Sequence, residues 1–202
     1  MNNDQKNKSR PEHAGIALFG NIRVMAIAAL LTALSIVLGK YLAVNVTDSL
    51  RISFENLPII MAGLFFGPLI GGVVGAAADI IGCFMVGFSM NPIITLGACL
   101  IGVISGTIGM YAFPKKENWR ATPRVFLPVA LAHIICSMGI KSLGMIVYFG
   151  TPWEILILRV PIYIFTGIAE GYLIMLLFRN RNFSGLLSRI ISKGKTNYRK
   201  KV

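Results

Sequence analysis

Four ionisable side chains lie inside long apolar runs, where a charge needs a reason. They are Asp79, Lys141, Arg159 and Glu170. Inserting a charged side chain at the centre of a bilayer costs about 2.5–3.5 kcal/mol of free energy on insertion scales. Because that cost must be offset by a benefit, such residues are candidates for a functional site. Carboxylates accept hydrogen bonds and cations donate them, so together they can bind a polar or anionic small molecule.

Three of these charges are expected at a similar depth, near the outer ends of their helices. At 1.5 Å per residue, Asp79 and Lys141 lie about 12 Å below those ends, and Arg159 lies about 8–9 Å below. Asn56 and Asn91 would cap the neighbouring helices just above. This depth predicts one solvated pocket that opens outward. The alternative is a structural bridge from Asp79 to Lys141 or to Arg159.

Other polar residues favour structural roles. Glu170 follows Arg159 by 11 residues and lies about 16 Å deeper, so we expect it to pair near the cytoplasmic side. His133 is isolated on an apolar helix and is typical of a packing residue. Lys40 can snorkel to the lipid headgroups.

The sequence contains no recognisable motif for catalysis or ATP hydrolysis. Cys83, Cys99 and Cys136 lie in apolar runs without CxxC spacing, which favours packing over metal or redox chemistry. Gly194–Thr196 is similar to the end of a Walker A loop, but Arg189 stands where that motif needs glycine. We therefore expect a protein that is not an enzyme and that uses no cofactor or metal.

The composition indicates an all-α integral membrane protein. Of 202 residues, 14% are charged, against about 25% in soluble domains, and the mean hydropathy is +0.70. The net charge of +12 is concentrated in the tails and one loop. That placement favours membrane lipid and topology as its explanation over nucleic acid. Because a span needs about 20 apolar residues, spans are predicted over 21–44, 92–113, 125–149 and 153–178.

The distribution of basic residues predicts the topology. Basic loops stay in the cytoplasm, which places both tails and the loop 115–124 inside. Residues 57–87 must then cross twice and turn at Gly67-Pro68. This predicts six transmembrane helices with a short second helix, a transmembrane domain over 21–180, and cytoplasmic tails over 1–20 and 181–202. Such a chain suits a multi-pass protein of a bacterial plasma membrane.

Two features outside the charged set concern shape. The outward segment 45–55 contains a period-two alternation over 50–54, which predicts an extended flap. Small residues four apart let helix backbones approach closely, and the steps Gly67–Gly71–Gly75 and Gly102–Gly106 are best explained by packing within the chain. For the step formed by Ala29 and Ala33, a docking face for another membrane subunit is an equal alternative.

Several short motifs over residues 22–180 carry a family resemblance. They are Phe54-Glu55-Asn56-Leu57-Pro58, Gly67-Pro68, Gly71, Gly75, Asp79, Gly82, Asn91-Pro92, Thr95-Leu96-Gly97, the Ala29/Ala33 step, and Arg159-Val160-Pro161 with Glu170. Together they resemble the S components of energy-coupling factor (ECF) vitamin transporters, and most of all the folate-specific group. The polar Glu55-Asn56 pair departs from the plain junction expected between flap and helix.

The resemblance implies an S-component-like bundle of six helices with an outward-facing ligand pocket. Such a protein captures a vitamin outside the cell and delivers it through a transmembrane coupling subunit and two ATPase subunits. The Ala29/Ala33 face would contact the coupling subunit.

The charged residues fit the chemistry of folate, which pairs an anionic glutamate end with a flat pterin. The donor edge of the pterin can be accepted in a bidentate way by one carboxylate. Cations would bind the glutamate end, Asp79 or Glu55 the pterin, and Phe54 could stack on a ring. The candidate substrate-binding residues are Arg51, Phe54, Glu55, Asn56, Asp79, Asn91, Lys141 and Arg159.

Three alternatives remain at the level of sequence. The first is an S component for another small compound, such as pantothenate or a deazapurine precursor. The second is a small membrane enzyme that acts on lipid. The third is a stand-alone secondary carrier, although the inverted repeats typical of carriers are not visible between residues 21–113 and 125–178.

Overall fold

Helices account for most of the structure, a computed structural model that describes residues 19–47, 50–111 and 122–179. In chain order the helices are α1 (Ile22–Ile36), α2 (Asn56–Phe66), α3 (Pro68–Val86), α4 (Pro92–Tyr111), α5 (Thr122–Ala132), α6 (Lys141–Phe149) and α7 (Trp153–Arg179). A first π segment (Val37–Tyr41) continues α1, and a second π segment (His133–Ile140) joins α5 to α6. The predicted tails and most of the loop 115–124 lie outside this part of the chain.

Joined through the π segments, the described helices form six rods, of which five are long and apolar enough to cross a membrane. The sixth is α2, whose 11 residues extend only about 16 Å and are buried throughout. Gly67 has a positive φ of 95° and Pro68 begins α3, so the chain reverses sharply there. The all-α membrane fold is confirmed, and residues 57–87 form two helices joined at Gly67-Pro68, of which the first is short.

Glycines bring α2, α3 and α4 into backbone contact. A Cβ atom added to Gly71 would lie 2.6 Å from the Cα atom of Gly63 and 2.7 Å from the carbonyl oxygen of Gly102. One added to Gly106 would lie 2.6 Å from the carbonyl carbon of Gly67. The glycine steps therefore pack within the chain. Ala29 and Ala33, in contrast, are exposed on α1.

A two-stranded antiparallel hairpin follows the first rod. Strands β1 (Val44–Thr47) and β2 (Leu50–Ile52) pair Val44 with Ile52, with an irregularity between Asn45 and Thr47. The predicted extended flap is confirmed. Glu55, the residue that precedes α2, follows the end of β2 by three positions. The hairpin and the polar start of α2 are therefore close together in the sequence.

The second π segment sets the position of Lys141. The backbone N–H of Lys141 donates to the carbonyl oxygen of Cys136, five residues back. A π turn rotates the following residues relative to an unbroken α-helix, and such turns are frequent at functional sites. As a result Lys141 begins α6 buried inside the bundle, while its neighbour Ser142 lines a cleft on the α7 side.

Candidate functional site

A chain of polar contacts at the start of α2 forms the centre of the site. Lys141 Nζ donates to Glu55 Oε1 at 2.8 Å and to Asn56 Oδ1 at 3.1 Å. Arg51 Nη2, at the end of β2, lies 3.3 Å from Glu55 Oε2. One carboxylate therefore connects the hairpin to α6.

Two serines hold the backbone of Glu55 and the side chain of Asn56 from the surrounding rods. Ser35 Oγ on α1 donates to the backbone oxygen of Glu55 at 2.7 Å. The amide nitrogen of Asn56 donates to Ser137 Oγ in the second π segment at 3.5 Å. Both serines are buried, so the start of α2 is held from two sides.

Glu55 remains ionised because of the cations around it. Burial alone would raise the pKa of Glu55, but the positive charges of Lys141, Arg51 and Lys40 outweigh burial and hold that pKa well below its usual range. Its side chain is about 20% exposed. At neutral pH the site therefore contains a fixed negative charge between positive ones.

Asp79 faces the same interior from α3. Thr95 Oγ1 on α4 donates to Asp79 Oδ2 at 2.6 Å, and the Cys83 thiol lies 4.0 Å from Oδ1. Lys40 Nζ lies 3.7 Å from Cys83 Sγ. Among the described residues no cation lies within salt-bridge distance of Asp79, so its carboxylate keeps hydrogen-bonding capacity for a ligand.

These groups surround one small cavity, which we call the polar cavity. Its volume is about 10 Å³, room for no more than one water molecule. Its lining residues are Ser35, Ile36, Lys40, Glu55, Ile59, Ala78, Asp79, Ala98 and Lys141. Two cations (Lys40 and Lys141) and two carboxylates (Glu55 and Asp79) line it, and Arg51, which pairs with Glu55, adds one positive charge in excess. A small anionic compound with hydrogen-bond donors suits that balance.

Arg159 does not join the polar cavity, which corrects the expected meeting of three charges. It lines a separate cleft of about 350 Å³ with Ser142 on α6 and Tyr163 on α7. One guanidinium nitrogen contacts the sulfur of Met145, and the guanidinium lies 5.5 Å from the centre of the Tyr163 ring. Counting residues along a helix predicts the depth of Arg159 but not the direction of its side chain, which depends on the rotation of α7 about its axis. Helix α6 lies between the two spaces. Asp79 and Lys141 do share one cavity.

Asn91 and Phe54 adopt mainly structural positions. Asn91 Oδ1 accepts hydrogen bonds from the backbone N–H groups of Ile93 and Ile94, and its amide nitrogen donates to the carbonyl oxygen of Gly144 at 2.8 Å. Asn91 thus caps α4 as predicted and also holds α6. Phe54 is half-buried, and its carbonyl oxygen accepts from the N–H of Leu57.

A family comparison decides what kind of protein carries this site. The family model described as "ECF transporter, substrate-specific component" matches residues 23–179. The chain belongs to this family. It is therefore a substrate-specific component of a transporter and not an enzyme.

Individual relatives of this substrate-specific component point the same way. A folate transporter, FolT, of Clostridium novyi (strain NT) is 27% identical over 142 residues, which cover 67% of this chain and 75% of that protein. FolT of Leuconostoc mesenteroides is 29% identical over 136 residues, 64% of this chain and 66% of that protein. A crystal structure of FolT bound with folic acid matches with a TM-score of 0.61 and 26% identity over 76% of this chain and 93% of that chain.

Sequence reasoning missed several polar contacts of this substrate-specific component. Lys40 lies at the polar cavity, although its place at a helix end indicated snorkelling. Nothing in the sequence marked three hydroxyl residues as site residues, because small hydroxyl residues are common in apolar helices; they are Thr95, Ser35 and Ser137. Their partners come from other rods, and no local pattern encodes such pairings.

A second buried pair lies deeper in the bundle. His133 Nε2 and Glu170 Oε2 are 2.8 Å apart, with side-chain exposures of 5% and 0%. The pair joins the second π segment to α7. Glu170 was expected to find a partner, and that partner is His133, which had been assigned to packing alone.

Proposed function

We propose that the protein is the folate-binding subunit of an ECF-type, ATP-driven vitamin importer. The observation that carries the proposal is the polar cavity, with its cations and carboxylates. The chain is similar to two folate transporters and to a structure of FolT bound with folic acid. A bundle of apolar helices has no packing reason to retain four charged side chains around one space.

In this proposal, the two ends of folate bind to two kinds of group. Asp79 has no cationic partner within salt-bridge distance among the described residues, so it is the better acceptor for the donor edge of the pterin. Lys141 and Arg51 are paired with Glu55 and can transfer hydrogen bonds to an incoming carboxylate. Asn56 supports Lys141, while Asn91 supports the helix ends around it.

Binding requires the polar cavity to open. A volume of about 10 Å³ cannot hold a pterin, so the present arrangement is a closed one. Arg51 connects the hairpin to Glu55 through one partly exposed ion pair at 3.3 Å. Displacement of the hairpin would break this ion pair without separating the rods.

Arg159 offers a further cation to the anionic end of the ligand. It has no carboxylate within 4 Å among the described residues, and its cleft of about 350 Å³ borders α6 on the side away from the polar cavity. We retain it as a candidate for the glutamate end, to be tested separately from Lys141.

The partners follow from the same proposal. The protein would work in a bacterial plasma membrane, with both termini cytoplasmic, together with a transmembrane coupling subunit and two ATPase subunits. The exposed Ala29/Ala33 step on α1 is the proposed contact surface for the coupling subunit.

Folate titration of the purified protein in detergent tests the proposal. We expect Asp79→Asn and Lys141→Met each to weaken binding by about tenfold or more, because each removes a charge-assisted hydrogen bond. Arg159→Ala reports on the further cation, and its matched control is Arg179→Ala at the other, exposed end of α7.

The proposal fails if Asp79→Asn and Lys141→Met both bind folate as the wild type does. It also fails if native mass spectrometry of the wild-type protein shows a different compound co-purifying and added folate does not displace it. An effect of Arg159→Ala without one of Arg179→Ala would extend the site to the second cleft. Equal behaviour of those two variants would exclude Arg159 from it.

A further inference from the structure

Some glycines of this protein face charged side chains rather than helix backbones. A Cβ atom added to Gly39, in the first π segment, would lie 2.7 Å from both Cβ and Oε2 of Glu55. One added to Gly97, on α4, would lie 2.9 Å from Cγ of Lys141. The two residues of the Glu55–Lys141 ion pair therefore each lie against a glycine, and the two glycines belong to different rods.

We infer that Gly39 and Gly97 are positioning residues, which hold open the space that aligns Glu55 with Lys141 for ligand binding. The inference rests on the proposed function for its ligand. It also gives a role to Gly97, which belongs to the motif Thr95-Leu96-Gly97 and whose added Cβ atom would lie nearest to side-chain atoms rather than to a helix backbone.

The contact distances leave little room for relief. Real Cβ atoms almost never approach another heavy atom within 3.0 Å, so an alanine at either position must displace its neighbour. At Gly39 the neighbour includes the Cβ atom of Glu55, which moves only with the backbone, and Ser35 holds that backbone by a bond of 2.7 Å. At Gly97 the neighbour is the base of the Lys141 stem, and a shift there moves the ammonium off a carboxylate at 2.8 Å.

A third glycine provides a graded comparison. A Cβ atom on Gly82 would lie 2.9 Å from Cε of Lys40, the far end of a flexible side chain. Lys40 can rotate away at small cost, because long side chains have many rotamers. The geometry therefore ranks Gly39 and Gly97 above Gly82 in importance for binding.

Gly109 is a matched control on the same helix as Gly97. Its added Cβ atom would also lie 2.9 Å from one side-chain atom, but that atom is Cδ2 of Leu64. Gly97→Ala and Gly109→Ala thus create contacts of the same distance on α4. The contact of Gly97→Ala is with a charged residue of the site, and that of Gly109→Ala is with an apolar residue away from the site.

The experiment measures folate affinity and melting temperature for Gly39→Ala, Gly97→Ala, Gly82→Ala and Gly109→Ala. We expect Gly39→Ala and Gly97→Ala to weaken binding by about tenfold, the loss of one charge-assisted hydrogen bond. Gly82→Ala should have a smaller effect, and Gly109→Ala should bind as the wild type does. Wild-type affinity in Gly97→Ala, or an equal loss in Gly109→Ala, would overturn the inference.

A double-mutant cycle separates positioning of the charge from general packing. Lys141→Met keeps a Cγ atom and removes the ammonium group. If Gly97 acts through that group, Gly97→Ala should cause no further loss of affinity in the Lys141→Met background. An undiminished further loss would mean that Gly97 acts through packing, and the inference would be wrong.

The same cycle, read by the melting temperature of the ligand-free protein, does not depend on folate. Gly97→Ala should lower the melting temperature more in the wild type than in Lys141→Met, since only the wild type has the bridge to lose. If the wild type does not bind folate but this coupling is present, the proposed function fails and the positioning role stands. Additive melting temperatures would refute the positioning role.

Discussion

At the scale of single residues, each site side chain carries out more than one task. Glu55 is the clearest case, because it precedes α2, accepts from Lys141 and Arg51, and receives a serine bond on its backbone oxygen. Its charge could be inferred from sequence as unusual for the junction, but its partner 86 residues away could not. Residue type reveals the capacity to bind, while the partner depends on which rods become neighbours.

Asn91 provides a residue-scale prediction. It is 2% exposed, caps α4 and bonds to Gly144, so Asn91→Ala should lower the free energy of unfolding by about 1–2 kcal/mol or more. The control is Asn21→Ala, since Asn21 caps α1 through one exposed bond to the N–H of Arg23 and should cost less. Chemical denaturation in detergent would check both, and an equal loss would contradict the added role of the Gly144 bond.

At the scale of elements, the site depends on departures from regular structure. The two π segments, the hairpin and the half-length α2 each lie next to a polar residue of the site. Hydropathy predicted the long rods because an 18–25-residue apolar run has few alternatives in a bilayer. It could not predict the π segments, since these result from the fit between rods and have no strong local signal.

The buried pair between the second π segment and α7 gives the element-scale prediction. His133→Leu alone and Glu170→Met alone should each destabilise the protein by about 3–5 kcal/mol, because each leaves a buried polar partner unpaired. The double variant should be more stable than either single variant. Melting temperatures in detergent would measure this, and strictly additive losses would show that the two side chains do not act as a pair.

At the scale of the whole molecule, the bundle presents large apolar side chains outward, as a membrane protein must. Examples are Leu30, Phe84 and Val147, which are 69%, 76% and 66% exposed. Against this bulky surface the Ala29/Ala33 step is a shallow strip on α1. Small residues allow another helix to approach closely, so this strip is suited to a partner subunit and less suited to lipid alone.

Bulky substitution on α1 tests the surface assigned to the coupling subunit. Ala29→Trp and Ala33→Trp should leave folate affinity of the isolated protein unchanged, but should abolish co-purification with the coupling subunit and folate uptake by cells. Val147→Trp, a change at another exposed position on α6, should preserve both. Normal folate uptake by both Ala29→Trp and Ala33→Trp would place the coupling subunit on another face of the bundle.

The sequence by itself determined that this protein is a membrane bundle with polar residues at the ends of several helices. Burial in lipid is a property of each segment, so apolar length predicted the long helices, and charge placement with Gly67-Pro68 predicted the reversal between α2 and α3. The period-two alternation predicted the flap. Only the tertiary structure decided that Lys141 reaches Glu55 and Asn56, that Lys40 reaches the polar cavity, and that Arg159 faces a different cleft. Those outcomes depend on helix rotation and on glycine-sized gaps between rods, which arise only when several segments pack together.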